Sequence, residues 1–114
     1  MHELSIAAEV LDQAKATLAS HPGARCTKIA LRIGELAGVD CDSLRFGFEV
    51  MVKDTPWEPL ALEIESVARR QRCRLCHHEF EAANFATQCP QCGDPCTENI
   101  AGDELQIAYL EIDE

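Results

Sequence analysis

Basic charge is scarce in this chain: ten lysines and arginines stand against twenty aspartates and glutamates, for a net charge of −10. Such an acidic surface argues against a sequence-independent grip on nucleic acid, which needs cations to neutralise phosphates. It suits solubility and the attraction of metal cations. Aromatic residues make up 5%, too few for a platform on which bases stack. No uncharged apolar run approaches the ~20 residues that span a bilayer. The N-terminus lacks the basic, apolar and small-residue segments of a secretory leader, so the expected location is cytoplasmic, with no membrane and no nucleic acid among the partners. A glycine-rich phosphate loop is missing, as is a convincing nucleophile–base pair. The chain does not read as an enzyme.

What is present is material for one domain, or for a small domain with a metal-stapled insert: 114 residues, 46% of them hydrophobic. Leu4, Ala7, Leu11, Ala14 and Leu18, widened by Ala8 and Val10, form a helical stripe that His21-Pro22-Gly23 should stop. Residues 26–33 alternate, with Thr27, Ile29, Leu31 and Ile33 on one face and Lys28 and Arg32 on the other, the pattern of a half-buried strand. After a loop, GELAGVD, Asp42 or Ser43 should cap a second helix with Leu44, Phe48, Met51 and Val52 inward. Residues 60–65 and 105–112 read as two further strands. The predicted fold is α+β: two helices packed on a small three-stranded sheet, with an inserted four-cysteine module. In domain terms, 1–68 plus 101–114 form the α/β part and 69–100 the insert.

The insert carries five of the seven cysteines and few large aliphatic side chains. Cysteines in a cytosolic chain are metal ligands or free thiols more often than disulfides. Cys73 and Cys76 form one CxxC and Cys89 and Cys92 another, twelve residues on. Each tight turn offers two sulfurs, and two turns complete the closed tetrahedron of structural zinc. Zinc there would supply folding energy that the sparse core lacks, with Phe80 and Phe85 packed beneath the turns. An iron site of the rubredoxin type usually has glycine after each CxxC. Here Gly93 follows the second but His77 follows the first, which weakens that reading, and a redox pair needs only one accessible CxxC. His77 and His78 read as an exposed pair, with a part in metal binding as the sharper alternative. Cys96 reads as a free thiol, with a spare metal ligand as the alternative. Cys26 and Cys41 read as small hydrophobes in strand and loop.

The chain starts MHEL. A bulky second residue should leave Met1 in place. The free amine, the His2 amide nitrogen and the His2 imidazole then lie within reach of one ion, and the Glu3 amide can add another nitrogen. Nitrogen-rich, tetragonal donor sets suit Ni²⁺ or Cu²⁺ better than Zn²⁺. On position alone, an N-terminal histidine is more often frayed and solvated.

MHELSIAAEVL, RIGELAGVD, the two CxxC turns and the closing ELQIAYLEI, in that order and over nearly the whole chain, resemble the HypA/HybF family of hydrogenase nickel-incorporation proteins. The resemblance implies a nickel metallochaperone. It would deliver Ni²⁺ to the precursor of the nickel–iron hydrogenase large subunit, with a HypB-type nickel GTPase as partner, and in some bacteria serve urease through a urease accessory protein. It implies His2, Glu3 and Asp40 as nickel ligands, with Asp42 as a nearby alternative, and Cys73, Cys76, Cys89 and Cys92 as ligands of structural Zn²⁺. The runner-up from the residues is a zinc-ribbon interaction module in transcription or RNA processing, with Arg69, Arg70, Arg72 and Arg74 touching phosphate. Monomer, homodimer and element-swapped dimer all stay open.

Overall fold

The computed structural model describes residues 3–82 and 88–114. The expectations for Met1, His2 and Phe85 therefore lie outside the described residues. The chain divides into two compact units, one made of Met1–Arg32, Gly38–Glu65 and Gln106–Glu114, the other of Ile33–Ala37 and Ser66–Leu105.

In the first unit, α1 (Glu3–Leu18) and α2 (Cys41–Val52) accompany a three-stranded sheet of order β2–β1–β6, where β1 is Arg25–Gly34, β2 Ala61–Val67 and β6 Leu105–Asp113. The core is built from Ile6, Ala7, Val10, Leu11 and Ala14 of α1, Leu44, Phe48 and Val52 of α2, and Cys26, Ile29, Ala30 and Leu31 of β1. As the central strand β1 buries residues of both parities, whereas alternation alone predicts one wet face. Its outward cations are paired along the flanking strands. Lys28 bonds Glu63 of β2 and lies 3.9 Å from Glu111 and 5.4 Å from the Tyr109 ring of β6, and Arg32 lies 3.6 Å from Glu65. Opposite charges across neighbouring strands reinforce that strand order.

Several expectations are corrected. Leu4 is exposed and Ile6 takes its place in the core, because the buried stripe of α1 starts one turn in and is rotated toward Val10. The end of the first helix is as expected: it stops at Leu18, ahead of His21-Pro22-Gly23, and Gly23 takes the left-handed φ of 83° in the turn that follows. The cap of α2 is Asp40, not Asp42 or Ser43: its carboxylate accepts from the amides of Asp42 (3.1 Å) and Ser43 (3.3 Å), the two orphan donors that a cap satisfies. Cys41 consequently sits in the first turn of the helix rather than in a loop. Met51 is only half-buried.

The second unit contains a sheet of order β4–β3–β5, with β3 Arg70–Cys73, β4 Glu79–Glu81 and β5 Thr97–Ala101, both pairings antiparallel. It also holds the GEL segment, where residues Glu35–Ala37 form a 3-10 turn. Gly34 donates to the Glu104 carbonyl and Leu36 to the Gly102 carbonyl. A Cβ on Gly34 would lie 2.0 Å from the Gly102 oxygen, so only glycine fits this approach of two backbones.

Candidate metal centre

Cys73 ends β3, and the chain then turns so that the His77 amide donates to the Cys73 carbonyl at 3.0 Å and the Cys73 amide to the His78 carbonyl at 2.9 Å. The second turn repeats this: Gly93 donates to the Cys89 carbonyl at 2.9 Å and Cys89 to the Asp94 carbonyl at 3.0 Å. In both turns the residue after the CxxC adopts a left-handed backbone, φ 64° at His77 and 80° at Gly93. A histidine has thus taken a conformation that favours glycine. The missing glycine does not mean a different turn, and that reason for setting an iron site aside is weaker than the sequence suggested.

The four sulfurs converge. Cys73 Sγ lies 3.5 Å from Cys92 Sγ and Cys76 Sγ 3.7 Å from Cys89 Sγ, with all four within 4.8 Å of one another. A tetrahedron with metal–sulfur bonds of 2.3 Å has edges of about 3.8 Å; a disulfide needs about 2.05 Å, and all seven cysteines are free thiols. The Leu75 and Cys76 amides donate to Cys73 Sγ, both at 3.4 Å.

Charge explains why the group asks for a cation. The Cys76 amide holds the Cys73 thiol below its ordinary range, with help from Leu75 and against burial. Burial opposes ionisation of Cys89, but the amides of Cys92 and Gln91 and the adjoining thiols lower it to about 7. The other two move upward. At Cys92 the Asp94 amide lowers the thiol, yet Cys73, burial, Cys76 and Cys89 outweigh it and push the value up to about 12. At Cys76 the His78 amide is likewise outweighed by burial, Cys89 and Cys73. Each close pair therefore holds one sulfur ready to ionise and one that keeps its proton, because a second anion is repelled. A divalent cation removes that repulsion and lets all four bind as thiolates. Donor type, number and spacing fit a closed tetrahedral metal ion.

The neighbouring residues have other duties. His78 stacks on half-buried Phe80 with ring centroids 6.1 Å apart, and His77 is exposed. Cys96 is exposed, and its amide donates to Asp94 Oδ1 at 2.7 Å. Cys26 is buried in β1, where burial pushes its thiol up. The arginines are largely committed: Arg72 reaches Glu79 (3.4 Å) and Glu98 (3.6 Å), and Arg74 reaches Glu98 (3.6 Å). Sequence reading missed this cross-strand ladder, although the Arg-x-Arg and Glu-x-Glu spacings carried the signal.

At the other candidate site, Glu3 opens α1, and its Oε2 accepts from the Asp40 amide at 3.4 Å. Two residues far apart in sequence thus meet. Both capping bonds of Asp40 fall on Oδ1, while Asp42 is exposed in the first turn of α2.

Fold and site together define a small α+β protein with a zinc-ribbon-like cluster of four cysteines. Comparison with known proteins narrows the class. A family model described as "Hydrogenase/urease nickel incorporation, metallochaperone, hypA" matches residues 1–112. A Hydrogenase maturation factor HypA of Dehalococcoides mccartyi is 38% identical over 114 residues, covering 100% of this chain and 96% of that protein. A protein of the same name from Chloroflexus aggregans is 40% identical over 112 residues, covering 97% and 98%. The solution structure of the Ni metallochaperone HypA from Helicobacter pylori superposes with a TM-score of 0.67 at 20% identity, covering 97% of each chain. A second solution structure of a HypA protein gives 0.73 at 20% identity, covering 97% of this chain and 95% of that one. The chain belongs to the HypA family of nickel-incorporation metallochaperones.

Proposed function

We propose that this member of a hydrogenase-maturation family carries Ni²⁺ as cargo at its N-terminus, held by His2, Glu3 and Asp40. It hands the ion to the precursor of the nickel–iron hydrogenase large subunit, or to a urease accessory protein, with a HypB-type GTPase as partner. The observation that supports this reading is the Glu3–Asp40 contact, in which the Asp40 backbone amide donates to the carboxylate of the residue that follows His2. The reading places the protein in the cytoplasm; among the described residues no helix is long and apolar enough to cross a membrane.

The four cysteines take a second, resident role. With Cys73, Cys76, Cys89 and Cys92 all ligating, Zn²⁺ would have no open position, and its contribution would be folding energy. Carriage and structure are then separate, which suits a protein that must release one ion without unfolding. No chemical step is required of the chain; its work is binding, orientation and release. The phosphate-binding alternative is disfavoured because Arg72 and Arg74 are already engaged by Glu79 and Glu98.

The test is calorimetry with Ni²⁺, alongside bound-zinc measurement. His2→Ala should abolish nickel binding while zinc content and fold stay intact. A few residues added before Met1 should be as damaging, since they remove the free amine. Unchanged nickel affinity in His2→Ala would sink the assignment.

A further inference from the structure

Among the described residues, the three most exposed large apolar side chains of the first unit gather at one place. Phe46 is 66% exposed, Leu4 54% and Val50 52%, and with Gly47, Ser43 and Glu3 they line an open cleft of about 350 Å³ between α1 and α2. The core does not use these side chains. Phe46 and Val50 lie on the α2 face opposite to Leu44, Phe48 and Val52, which are buried.

Gly47 forms part of this lining. Glycine inside a helix weakens it, yet no backbone approach demands it here. A Cβ would meet the tip of exposed Leu4 at 3.2 Å and Ala7 Cβ at 3.7 Å, contacts that a flexible side chain relieves. The effect of keeping glycine is depth in the cleft.

We propose that this cleft docks an apolar segment of a partner protein, flanked by basic side chains. The lining decides against a small metabolite, which needs several convergent polar groups; among the described residues only Ser43 and Glu3 of the lining are polar. Helix-in-groove recognition needs just such a lining, with an aromatic anchor. The rim decides the partner's charge. Asp42 and Glu49 sit four and three residues from Phe46, on the same helical face, and both are exposed. The one cation within α2, Arg45, is turned away and donates to the Leu62 carbonyl at 2.8 Å. Lys15 lies in the last turn of α1, and Lys53, the C-cap of α2 three residues beyond Val50, is a single cation set against Glu3, Asp42 and Glu49. A second copy of this chain fits poorly, because a two-fold contact sets the same acidic rim against itself and adds two charges of −10.

The cleft shares Glu3 with the proposed nickel site, but the proposal rests on the apolar lining, and its test separates the two. The probe is a lysine-flanked peptide with leucines at i, i+3, i+4 and i+7, paired with a glutamate-flanked counterpart. Titration of the full chain by calorimetry and backbone amide NMR should show binding of the lysine peptide, shifts centred on Leu4, Phe46, Gly47 and Val50, and weakening by salt. Phe46→Ser should weaken it by about tenfold or more. Gly47→Ala should also weaken it while the melting temperature holds or rises. Nickel and zinc content should be unchanged in both variants, so a failed nickel assignment would leave this outcome readable. Equal binding of both peptides, shifts elsewhere, or undiminished affinity in Phe46→Ser would overturn it. So would a dimer by sedimentation that Phe46→Ser dissociates, which would assign the cleft to a second copy.

Discussion

Replacing His77 by glycine should stabilise the cysteine module. His77 holds a left-handed backbone with φ 64°, which costs an L-residue with a bulky side chain about 1–2 kcal/mol. Glycine removes that strain but gives back about 0.5–1 kcal/mol through the freedom of its unfolded chain. Mid-range values leave a net gain of about 0.75 kcal/mol. Where folding and metal binding are one equilibrium, the gain appears as Zn²⁺ affinity tighter by about two- to fivefold. Competition against a chelator of known affinity reads that range.

The second turn supplies the control at the equivalent position. Gly93 has φ 80°, and among the described residues a Cβ there would meet only Gln88 Nε2, at an ordinary 3.7 Å. Gly93→Ala therefore adds backbone strain with no clash, and should loosen Zn²⁺ by the converse of the His77 effect. If His77→Gly instead weakens zinc, the strain argument fails. The imidazole then contributes to the module or its ion, the sharper reading that the sequence left open.

Gly34→Ala should cost about 3 kcal/mol or more, because the new Cβ would stand 2.0 Å from the Gly102 oxygen and backbone cannot step aside; a denaturation midpoint unchanged from wild type would refute this. Asp40→Ala should cost about 1 kcal/mol through loss of the α2 cap, whereas Asp40→Asn should retain the cap and stability yet weaken nickel; equal nickel loss with equal destabilisation in both would show that the carboxylate acts only on the helix. Zinc binding should weaken as pH falls through the thiol range, because protons compete for thiolates. Where the module keeps this geometry without an ion, with Cys89 lowered to about 7 and Cys73 also lowered, uptake at pH 7 should release fewer protons than four ordinary thiols would; where it folds only on binding, the thiols start at their ordinary values. Calorimetry in buffers of differing ionisation heat measures this, and release of all four by a module already folded would contradict the charge arrangement.

How far the sequence could be read depended on what holds each part. β1, β2, β6 and both helices are held by burial, which leaves a period in the sequence, and these elements were legible to within a few residues. The strands β3, β4 and β5 are three to five residues long, too short for an apolar period. They are fixed by the metal turns and by Arg72 lying between Glu79 and Glu98, its partners in register. The cap of α2 was misplaced because DCDS offers three side chains able to cap, and only the backbone at Asp40, in the β region with φ −80° and ψ 105°, singles one out. The four-sulfur group was legible because CxxC spacing is itself a geometric statement. The Glu3–Asp40 contact was not, since nothing local in either segment encodes it.

Asp40 shows how a weak site can be built beside a firm one. One oxygen, Oδ1, is engaged by the amides of Asp42 and Ser43, which fixes the side chain on a rigid helix end. Glu3 is similarly occupied by the Asp40 amide. Both proposed nickel carboxylates are thus oriented before any ion arrives, but each already has hydrogen-bond partners that a metal must share. Preorientation lowers the ordering cost of binding, while shared donors and a chain-end histidine limit its strength. The four sulfurs differ: amide donors such as those of Leu75 and Cys76 on Cys73 Sγ need not leave when an ion binds, and what a cation displaces is protons and mutual repulsion, so binding gains much and release gains little. That difference in competing partners, rather than a difference in distance or burial alone, is what would let one ion stay while the other is passed on.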